Sequence, residues 1–427
     1  MRSFGIILIS FIINVQTLLV GSPGAMRHIK TYSPVKPAFS PPAVLFSEPE
    51  PYNDPERHIQ LRGSINNCRI KFERSKKGRV AFLGGSITEM KGWREMVCEE
   101  LQKRFPGTEF DFINAGISST GTTPGAFRFG RDVLCNGTVD LLFEEAAVND
   151  ETNGFGATEQ VRGMEGIIRQ ARIANPDMDI IMLHFIWDGM LEPLEQGIIP
   201  EVILNHEKVA GYYQIPSINL ALEVSQRMAS GEFDWKTFGG THPAPFGHTI
   251  YAAAVSALFD RMWRYPVEKE ETVHPHELPV TPLDAYSYYN GRLIDVRQSK
   301  LEHGWEYASN WRPKMEAQTR RGFVDVPAIE AIEPGAQLRF SFNGKAAGIF
   351  HVAGPDAGII EYSVDGAPFK SKDLFTEWSR GLYIPWVTML EAELKEGTHE
   401  IVIRTGKERN TASKGNACQI LYFAVNE

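Results

Sequence analysis

The stretch that decides the fold is residues 79–88, Arg-Val-Ala-Phe-Leu-Gly-Gly-Ser-Ile-Thr. Its first five residues form a short apolar run of the kind found in buried strands, and Gly84-Gly85 ends that run. Apolar residues then recur at helical spacing, at Trp93, Met96, Val97 and Leu101. A strand, a glycine turn and a helix form the unit of a parallel sheet, and the turn projects Ser86 above the sheet edge.

The same alternation of strands and helices continues to about residue 263. Further strands are predicted at 110–113, 139–148 and 179–185. Further helices are predicted around 161–168 and over 200–213 and 245–263. Strands that alternate with helices predict a mostly parallel sheet with helices on both faces.

The pattern changes beyond residue 263. Residues 266–283 are charged and carry four prolines, which is typical of a linker. Short alternating runs follow at 337–342, 347–352, 359–364, 399–404 and 419–425. Asp365-Gly366 and Glu396-Gly397 punctuate these runs as turns. We therefore predict an all-β sandwich over residues 284–427.

The N-terminus has the layout of a secretory signal peptide. Arg2 precedes an apolar run over residues 4–20, and small residues follow. We predict a signal peptide over residues 1–25 and an extended segment over 26–77, ahead of an α/β domain over 78–265. A membrane anchor is the alternative, but the run is short and contains polar residues. The expected location is secreted or periplasmic, with no membrane span in the mature protein.

Length, charge and cysteine content limit which classes of protein fit the sequence. A length of 427 residues favours two domains, and the net charge of -9 comes without a basic block, which argues against a nucleic-acid partner. Four cysteines match no zinc-site spacing, and Cys98 fits a buried free thiol on a helix. No metal or organic cofactor is implied.

Four short stretches of the α/β region carry residues suited to chemistry. They are Gly84-Gly85-Ser86-Ile87-Thr88, Asn114-Ala115-Gly116-Ile117-Ser118, Val148-Asn149-Asp150 and Thr241-His242-Pro243. The first three follow predicted strands, and ligands of parallel sheets bind beyond the carboxyl ends of strands. Each stretch alone also fits a structural role, because serine caps helices and glycine and asparagine form turns.

In order and residue type, the four stretches resemble the four blocks of the SGNH hydrolase family, also called GDSL-type esterases. The resemblance covers about residues 78–262 and implies a three-layer, flavodoxin-like domain. It implies Ser86 as the nucleophile and His242 as the general base. It also implies an oxyanion hole formed by the N–H of Ser86, the N–H of Gly116 and the side chain of Asn149.

The sequence departs from the family three residues before His242. The family places an aspartate there to orient the imidazole, whereas this chain has Gly239. Three explanations remain open. Asp234 or Asp188 substitutes for the missing acid, or a backbone carbonyl orients the ring and leaves a Ser-His dyad, or the site is degenerate and only binds.

The second predicted domain resembles the jelly-roll domains attached to some carbohydrate esterases. Its aromatic residues fit either the sandwich core or stacking on sugar rings, with the core preferred for most of them. The expected function is an exported carboxylic ester hydrolase that removes acetyl or other small acyl groups from a polysaccharide or oligosaccharide through an acyl-Ser86 intermediate. A lipid esterase such as a lysophospholipase, and a degenerate protein that only binds glycan, are the alternatives.

Overall fold

The structure, a computed structural model, describes residues 58–427. The predicted signal peptide and most of the predicted N-terminal segment lie outside the described residues. The strands in the described range are β1 (Ile59–Gln60), β2 (Lys77–Gly84), β3 (Glu109–Gly116), β4 (Leu141–Glu145), β5 (Asp179–Leu183), β6 (Ser217–Ile218), β7 (Gly291–Asp295), β8 (Lys300–His303), β9 (Glu306–Trp311), β10 (Gln318–Thr319), β11 (Val326–Ala331), β12 (Gln337–Gly344), β13 (Ala346–Ala353), β14 (Ile359–Val364), β15 (Lys370–Asp373), β16 (Leu382–Glu391), β17 (Gly397–Thr405) and β18 (Cys418–Asn426).

The α-helices of the same range all precede β7. They are α1 (Asn66–Arg74), α2 (Ser86–Glu89), α3 (Trp93–Arg104), α4 (Thr122–Asp132), α5 (Ala147–Thr152), α6 (Ala157–Ala174), α7 (Leu191–Glu195), α8 (Glu201–Tyr212), α9 (Leu220–Ala229), α10 (Trp235–Phe238) and α11 (Pro245–Met262). The part of the described chain that contains α-helices and the part that contains none are thus separated in sequence. We call them the α/β domain and the β domain.

The sheet of the α/β domain has the strand order β1-β6-β5-β4-β2-β3. Strands β2 to β6 are parallel to their neighbours, and only β1 is antiparallel, at the edge beside β6. The order of the five parallel strands is that of flavodoxin. The predicted parallel sheet is confirmed.

Strand β2 lies inside the sheet and is covered on both faces. Its side chains alternate, so Phe82 packs into one apolar cluster and Leu83 into another. The Phe82 cluster contains residues of helices α1, α3, α9 and α11. The Leu83 cluster contains residues of α4, α6 and α8. The apolar residues of β2 therefore lie in a strand that is buried on both faces, between two layers of helices.

The β domain consists of two sheets. One has the order β10-β16-β13-β18-β11-β9, with β7 also paired to β18, and the other has the order β15-β14-β17-β12-β8. Apolar side chains of both sheets form one cluster, in which Phe340 of β12 stacks on Phe423 of β18 with ring centroids 3.9 Å apart. The predicted all-β second domain is confirmed, and most of its strands pair antiparallel, with β10 parallel to β16.

The two domains pack against each other through α4 and α6. Phe127 of α4 lies 4.9 Å from the ring of Tyr288, centroid to centroid, in the segment that precedes β7. Arg162 of α6 forms an ion pair with Asp284 at 3.0 Å, and the Arg131 guanidinium lies over the Tyr422 ring of β18. Both domains lie within one compact unit.

Several predicted boundaries need correction. The strand predicted over 139–148 ends at Glu145, so Val148, Asn149 and Asp150 lie in helix α5. The described part of the predicted extended segment contains β1 and α1. Strand β6 has two residues, too few for a periodic signal.

Cys98 is half-buried, and none of the four cysteines is in a disulfide. Over residues 58–427, no helix is long and apolar enough to cross a membrane.

Candidate active site

The candidate site lies where the strand order of the parallel sheet reverses. Strand β2 is flanked by β3 on one side and β4 on the other. The loops that leave the carboxyl ends of these strands diverge to opposite faces of the sheet and leave a crevice between them. Ser86 follows β2 directly, and Asn149 lies in the helix that follows β4. The fold therefore brings the first and third predicted stretches to one edge.

Ser86 and His242 are in hydrogen-bonding contact. The Ser86 hydroxyl lies 2.8 Å from Nε2 of His242, although 156 positions separate the two residues in sequence. Ser86 is the first residue of α2, and His242 lies in the loop between α10 and α11. Partial burial of the imidazole, together with the positive charge of Arg320, lowers the pKa of His242. The ring is thereby favoured in its neutral form, which can accept the proton of a serine hydroxyl.

A buried carboxyl group fixes the turn that carries Ser86. Oε1 of Glu145, the last residue of β4, accepts hydrogen bonds from the Gly85 N–H at 2.8 Å and from the Thr88 hydroxyl at 2.7 Å. Burial raises the pKa of Glu145 to about 7. The side-chain amide of Asn149 packs against the other side of the turn, where a Cβ atom on residue 85 would overlap its oxygen. Glycine at position 85 is thus required for space.

The predicted oxyanion donors are placed differently from one another. Ser86 begins a helix, so its N–H has no partner within that helix. The side chain of Asn149 forms no hydrogen bond to any described residue and lies beside the turn. The Gly116 N–H, however, donates to the Asn114 side chain at 3.0 Å, which differs from the expectation that it is free to bind an oxyanion.

The loop after β3 offers a second backbone N–H. Ser119 has a φ of 71°, a left-handed conformation that few residues other than glycine adopt. The carbonyl of the next residue, Thr120, lies within van der Waals distance of a Cβ built on Gly85, so the loop passes the nucleophile turn. Among the described residues, nothing accepts a hydrogen bond from the Ser119 N–H. Strain at Ser119 is of the kind that accompanies functional backbone positions.

Two buried polar side chains hold these loops together. The Arg128 guanidinium donates to the carbonyls of Gly84 and Ala115 at 3.1 and 2.7 Å, and so joins the ends of β2 and β3. Asp150 accepts from the N–H and the hydroxyl of Thr122, both at 2.7 Å, and lies 3.0 Å from Nε2 of His206. Asp150, the residue after Asn149, therefore connects α5 to α4 and α8 through hydrogen bonds.

Neither predicted acid contacts His242. Asp234 caps α10 by accepting from the Thr237 N–H at 2.7 Å. Asp188 accepts from the hydroxyl of Thr241, the residue before His242, at 3.2 Å. Within residues 58–427, the His242 side chain forms one hydrogen bond, to Ser86.

Gly239 cannot be replaced by the usual acid. It has a left-handed φ of 107°, and a Cβ atom there would overlap the backbone nitrogen of Ala244. The tight turn from α10 into the His242 loop therefore requires glycine, which explains the departure from the family pattern.

Sequence reasoning missed three polar residues of the site region. Glu145 and Arg128 had a detectable signal, because each is a charged residue in an otherwise apolar run, where burial requires a partner. Arg320 had none, because it comes from the β domain, some 80 positions beyond His242. Arg320 comes close to His242 only because the two domains pack against each other.

Comparison with known proteins identifies the α/β domain. Residues 82–250 match the model of the GDSL-like lipase/acylhydrolase family. Over these residues the α/β domain resembles that family. The matched range contains Ser86, Asn149 and His242, and the chain is accordingly a carboxylic ester hydrolase. A search of curated proteins found no significant match.

Solved structures support the two-domain fold of this GDSL-like hydrolase. The crystal structure of a two-domain esterase, CEX, active on acetylated mannans, superposes with a TM-score of 0.68 at 19% sequence identity. The match covers 87% of this chain and 98% of CEX. The structure of CEX co-crystallised with mannopentaose gives the same values. The likeness therefore extends through the β domain.

Proposed function

We propose that this chain is an exported serine esterase that removes acetyl or other small acyl groups from a glycan through an acyl-Ser86 intermediate. The observation that carries the proposal is the 2.8 Å contact between the Ser86 hydroxyl and Nε2 of His242 within a GDSL-like acylhydrolase domain. A serine hydroxyl becomes a competent nucleophile when an adjacent imidazole takes its proton.

The reaction has two halves. His242 accepts the Ser86 proton while Oγ attacks the acyl carbonyl carbon, and the protonated imidazole then gives that proton to the departing sugar oxygen. The acyl group remains on Ser86 as an ester. A water molecule, deprotonated by His242, attacks this ester, and the acid product leaves as the proton returns to Ser86.

An oxyanion forms in both halves and requires fixed donors. We assign this role to the Ser86 N–H, the Asn149 side chain and the Ser119 N–H. Ser119 replaces Gly116, whose N–H is already used by Asn114. The loss of one such donor typically lowers kcat by about a hundred- to a thousandfold.

His242 acts in a dyad with Ser86. Gly239 leaves no side chain at the usual acid position, and the Asp188 carboxylate accepts a hydrogen bond from Thr241 instead. Of the three explanations open from sequence, a Ser-His dyad fits these contacts, but within residues 58–427 no backbone carbonyl accepts a hydrogen bond from the His242 ring as that explanation expected. The preserved Ser86–His242 contact and the donors beside it favour catalysis over a site that only binds.

A glycan ester is the substrate class that the fold favours. CEX, which shares the two-domain fold across almost its whole length, is an esterase active on acetylated mannans. Half-buried aromatic side chains of the two domains also meet, with the Phe155 and Trp386 ring centroids 5.8 Å apart. A β domain packed beside the catalytic loops can contact a long saccharide that extends from the acyl group.

The test measures the acid released from a panel of acetylated polysaccharides by the full chain, with Ser86→Ala as the control. We expect release of acetate that is lost in Ser86→Ala. Synthetic esters of increasing acyl length supply the second arm, and we expect a preference for acetyl over long acyl chains. Serine-dependent cleavage of long-chain esters alone would make the chain a lipid esterase and overturn the glycan proposal.

A further inference from the structure

Arg320 brings a cation from the β domain to the catalytic centre. It follows β10, which pairs with β16 in parallel, with Thr319 opposite Tyr383. The turn that it begins is closed by the Phe323 N–H, which donates to the Arg320 carbonyl, and is anchored by the buried Phe323 ring. Arg320 therefore emerges from an ordered part of the sandwich.

The guanidinium lies beside the catalytic loops of the α/β domain. Nη2 is 3.4 Å from the hydroxyl of Ser119, the residue in left-handed conformation beside the nucleophile turn. Its charge is close enough to His242 to depress the pKa of the imidazole. Arg320 thus lies beside the Ser119 loop and close to His242, the imidazole that contacts Ser86.

The charge of Arg320 is not neutralised by any described residue. No carboxylate of residues 58–427 lies within ion-pair distance, and the Nε–H is buried without a hydrogen-bond acceptor. Two other arginines where the domains meet are paired, Arg131 with Asp132 and Arg162 with Asp284. A buried donor left without an acceptor is costly, and a guanidinium matches the two oxygens of a carboxylate.

The unpaired cation also opposes the proposed chemistry. His242 becomes positively charged when it takes the Ser86 proton, and a nearby guanidinium destabilises that imidazolium. An anion bound to Arg320 would remove this penalty at the moment when the substrate is in place.

We propose that Arg320 binds a carboxylate of the substrate, so that the preferred glycan carries its acyl group on, or next to, a uronic acid. This inference rests on the proposed function, because it names the substrate class of the same site. Arg320 contacts the bound sugar and does not act on the reacting carbonyl. The β domain thereby completes the substrate site of the α/β domain.

The first test compares two matched substrates, an O-acetylated glucuronide and the corresponding O-acetylated glucoside. We expect kcat/KM of the full chain to favour the glucuronide by about tenfold or more, since hydrogen bonds between charged partners are stronger than those between neutral ones. Arg320→Gln should abolish this preference. Arg321→Gln, which removes the exposed neighbouring charge, should keep it. Equal rates of Ser86-dependent release from both substrates would overturn the inference and leave the proposed function intact.

A second test separates binding at Arg320 from esterase activity on sugars. Hydrolysis of 4-nitrophenyl acetate is measured in the presence of methyl glucuronoside or methyl glucoside, neither of which carries an acyl group. We expect stronger inhibition by the glucuronoside in the parent chain and in Arg321→Gln, and no difference between the two sugars in Arg320→Gln. Equal inhibition by both sugars in the parent chain contradicts the carboxylate site. Absence of Ser86-dependent hydrolysis of the nitrophenyl ester contradicts the proposed function instead.

Discussion

Oε1 of Glu145 lies 2.8 Å from the backbone nitrogen of Gly85, so a buried carboxyl group at the end of β4 holds the turn at the end of β2. Glu145→Ala leaves the Gly85 N–H and the Thr88 hydroxyl without their acceptor. We expect the free energy of unfolding to fall by about 2 to 4 kcal/mol. We also expect kcat on an activated acetyl ester to fall by about tenfold to a hundredfold, because the nucleophile is displaced.

Glu145→Gln is the matched control, because its carbonyl oxygen accepts the same two hydrogen bonds. It should retain kcat within about threefold. The folded pKa of about 7 is above the ordinary value of 4.5, so the carboxyl group favours the fold fully below pH 4.5 and loses this contribution as pH rises through 7. Urea unfolding at several pH values should show that the parent chain loses stability as the pH rises through 7, and that Glu145→Gln does not. Equal pH dependence in both would contradict it.

The pH dependence of kcat/KM should report His242. Burial and the positive charge of Arg320 lower its pKa from the ordinary 6.5, and only neutral imidazole accepts the Ser86 proton. Activity on a neutral ester should therefore persist below pH 6.5 and fall only at lower pH. Arg320→Gln removes the cation and should move this acid limb to higher pH, while Arg321→Gln should leave it in place. An acid limb above pH 6.5 in the parent chain would contradict this reading.

Asp188 should matter much less than the acid of a serine triad. Replacement of a triad aspartate by asparagine lowers kcat by about ten-thousandfold, whereas the Asp188 side chain accepts a hydrogen bond from Thr241 rather than from His242. We expect Asp188→Asn to retain kcat within about tenfold. Asp234→Ala removes a helix cap and should lower the free energy of unfolding slightly without changing kcat. A loss near ten-thousandfold in Asp188→Asn would show that Asp188 does orient His242.

The oxyanion donors can be tested by two contrasting replacements. Asn149→Ala should lower kcat by about a hundred- to a thousandfold while leaving acylation detectable. Ser119→Gly keeps the backbone N–H and relieves the left-handed strain, so it should retain kcat on a small activated ester and raise the free energy of unfolding by up to about 1 kcal/mol. Unchanged kcat in Asn149→Ala would exclude its amide from the oxyanion hole.

The order of elements in the α/β domain could be predicted because its strands and helices carry strong periodic signals. Strand β2 is a buried apolar run that ends at two glycines, β5 is a fully buried run, and β3 alternates apolar and polar residues before it ends at Gly116. The predicted third strand runs three residues past the end of β4, because Ala146, Ala147 and Val148 are as apolar as a strand although α5 begins at Ala147. Strand β16 was missed because Pro385 breaks its pattern; it is tolerated where β10 no longer pairs with β16.

The contact between Ser86 and His242 could be anticipated because both lie in stretches whose order is informative. The engagement of the Gly116 N–H by Asn114 could not, since it depends on the conformation of one side chain. The position of Arg320 depends on how two domains pack, and nothing local to its sequence encodes that packing.

The geometry at Gly239 also limits how this enzyme can change. In a relative with an aspartate at the equivalent position, a single codon change could exchange dyad and triad chemistry in either direction. Here a side chain at 239 would collide with the backbone at Ala244, so that mutational route is closed. A third catalytic member would have to arise elsewhere, and the loop of Asp188, already one residue away through Thr241, is the nearest starting point for selection or design.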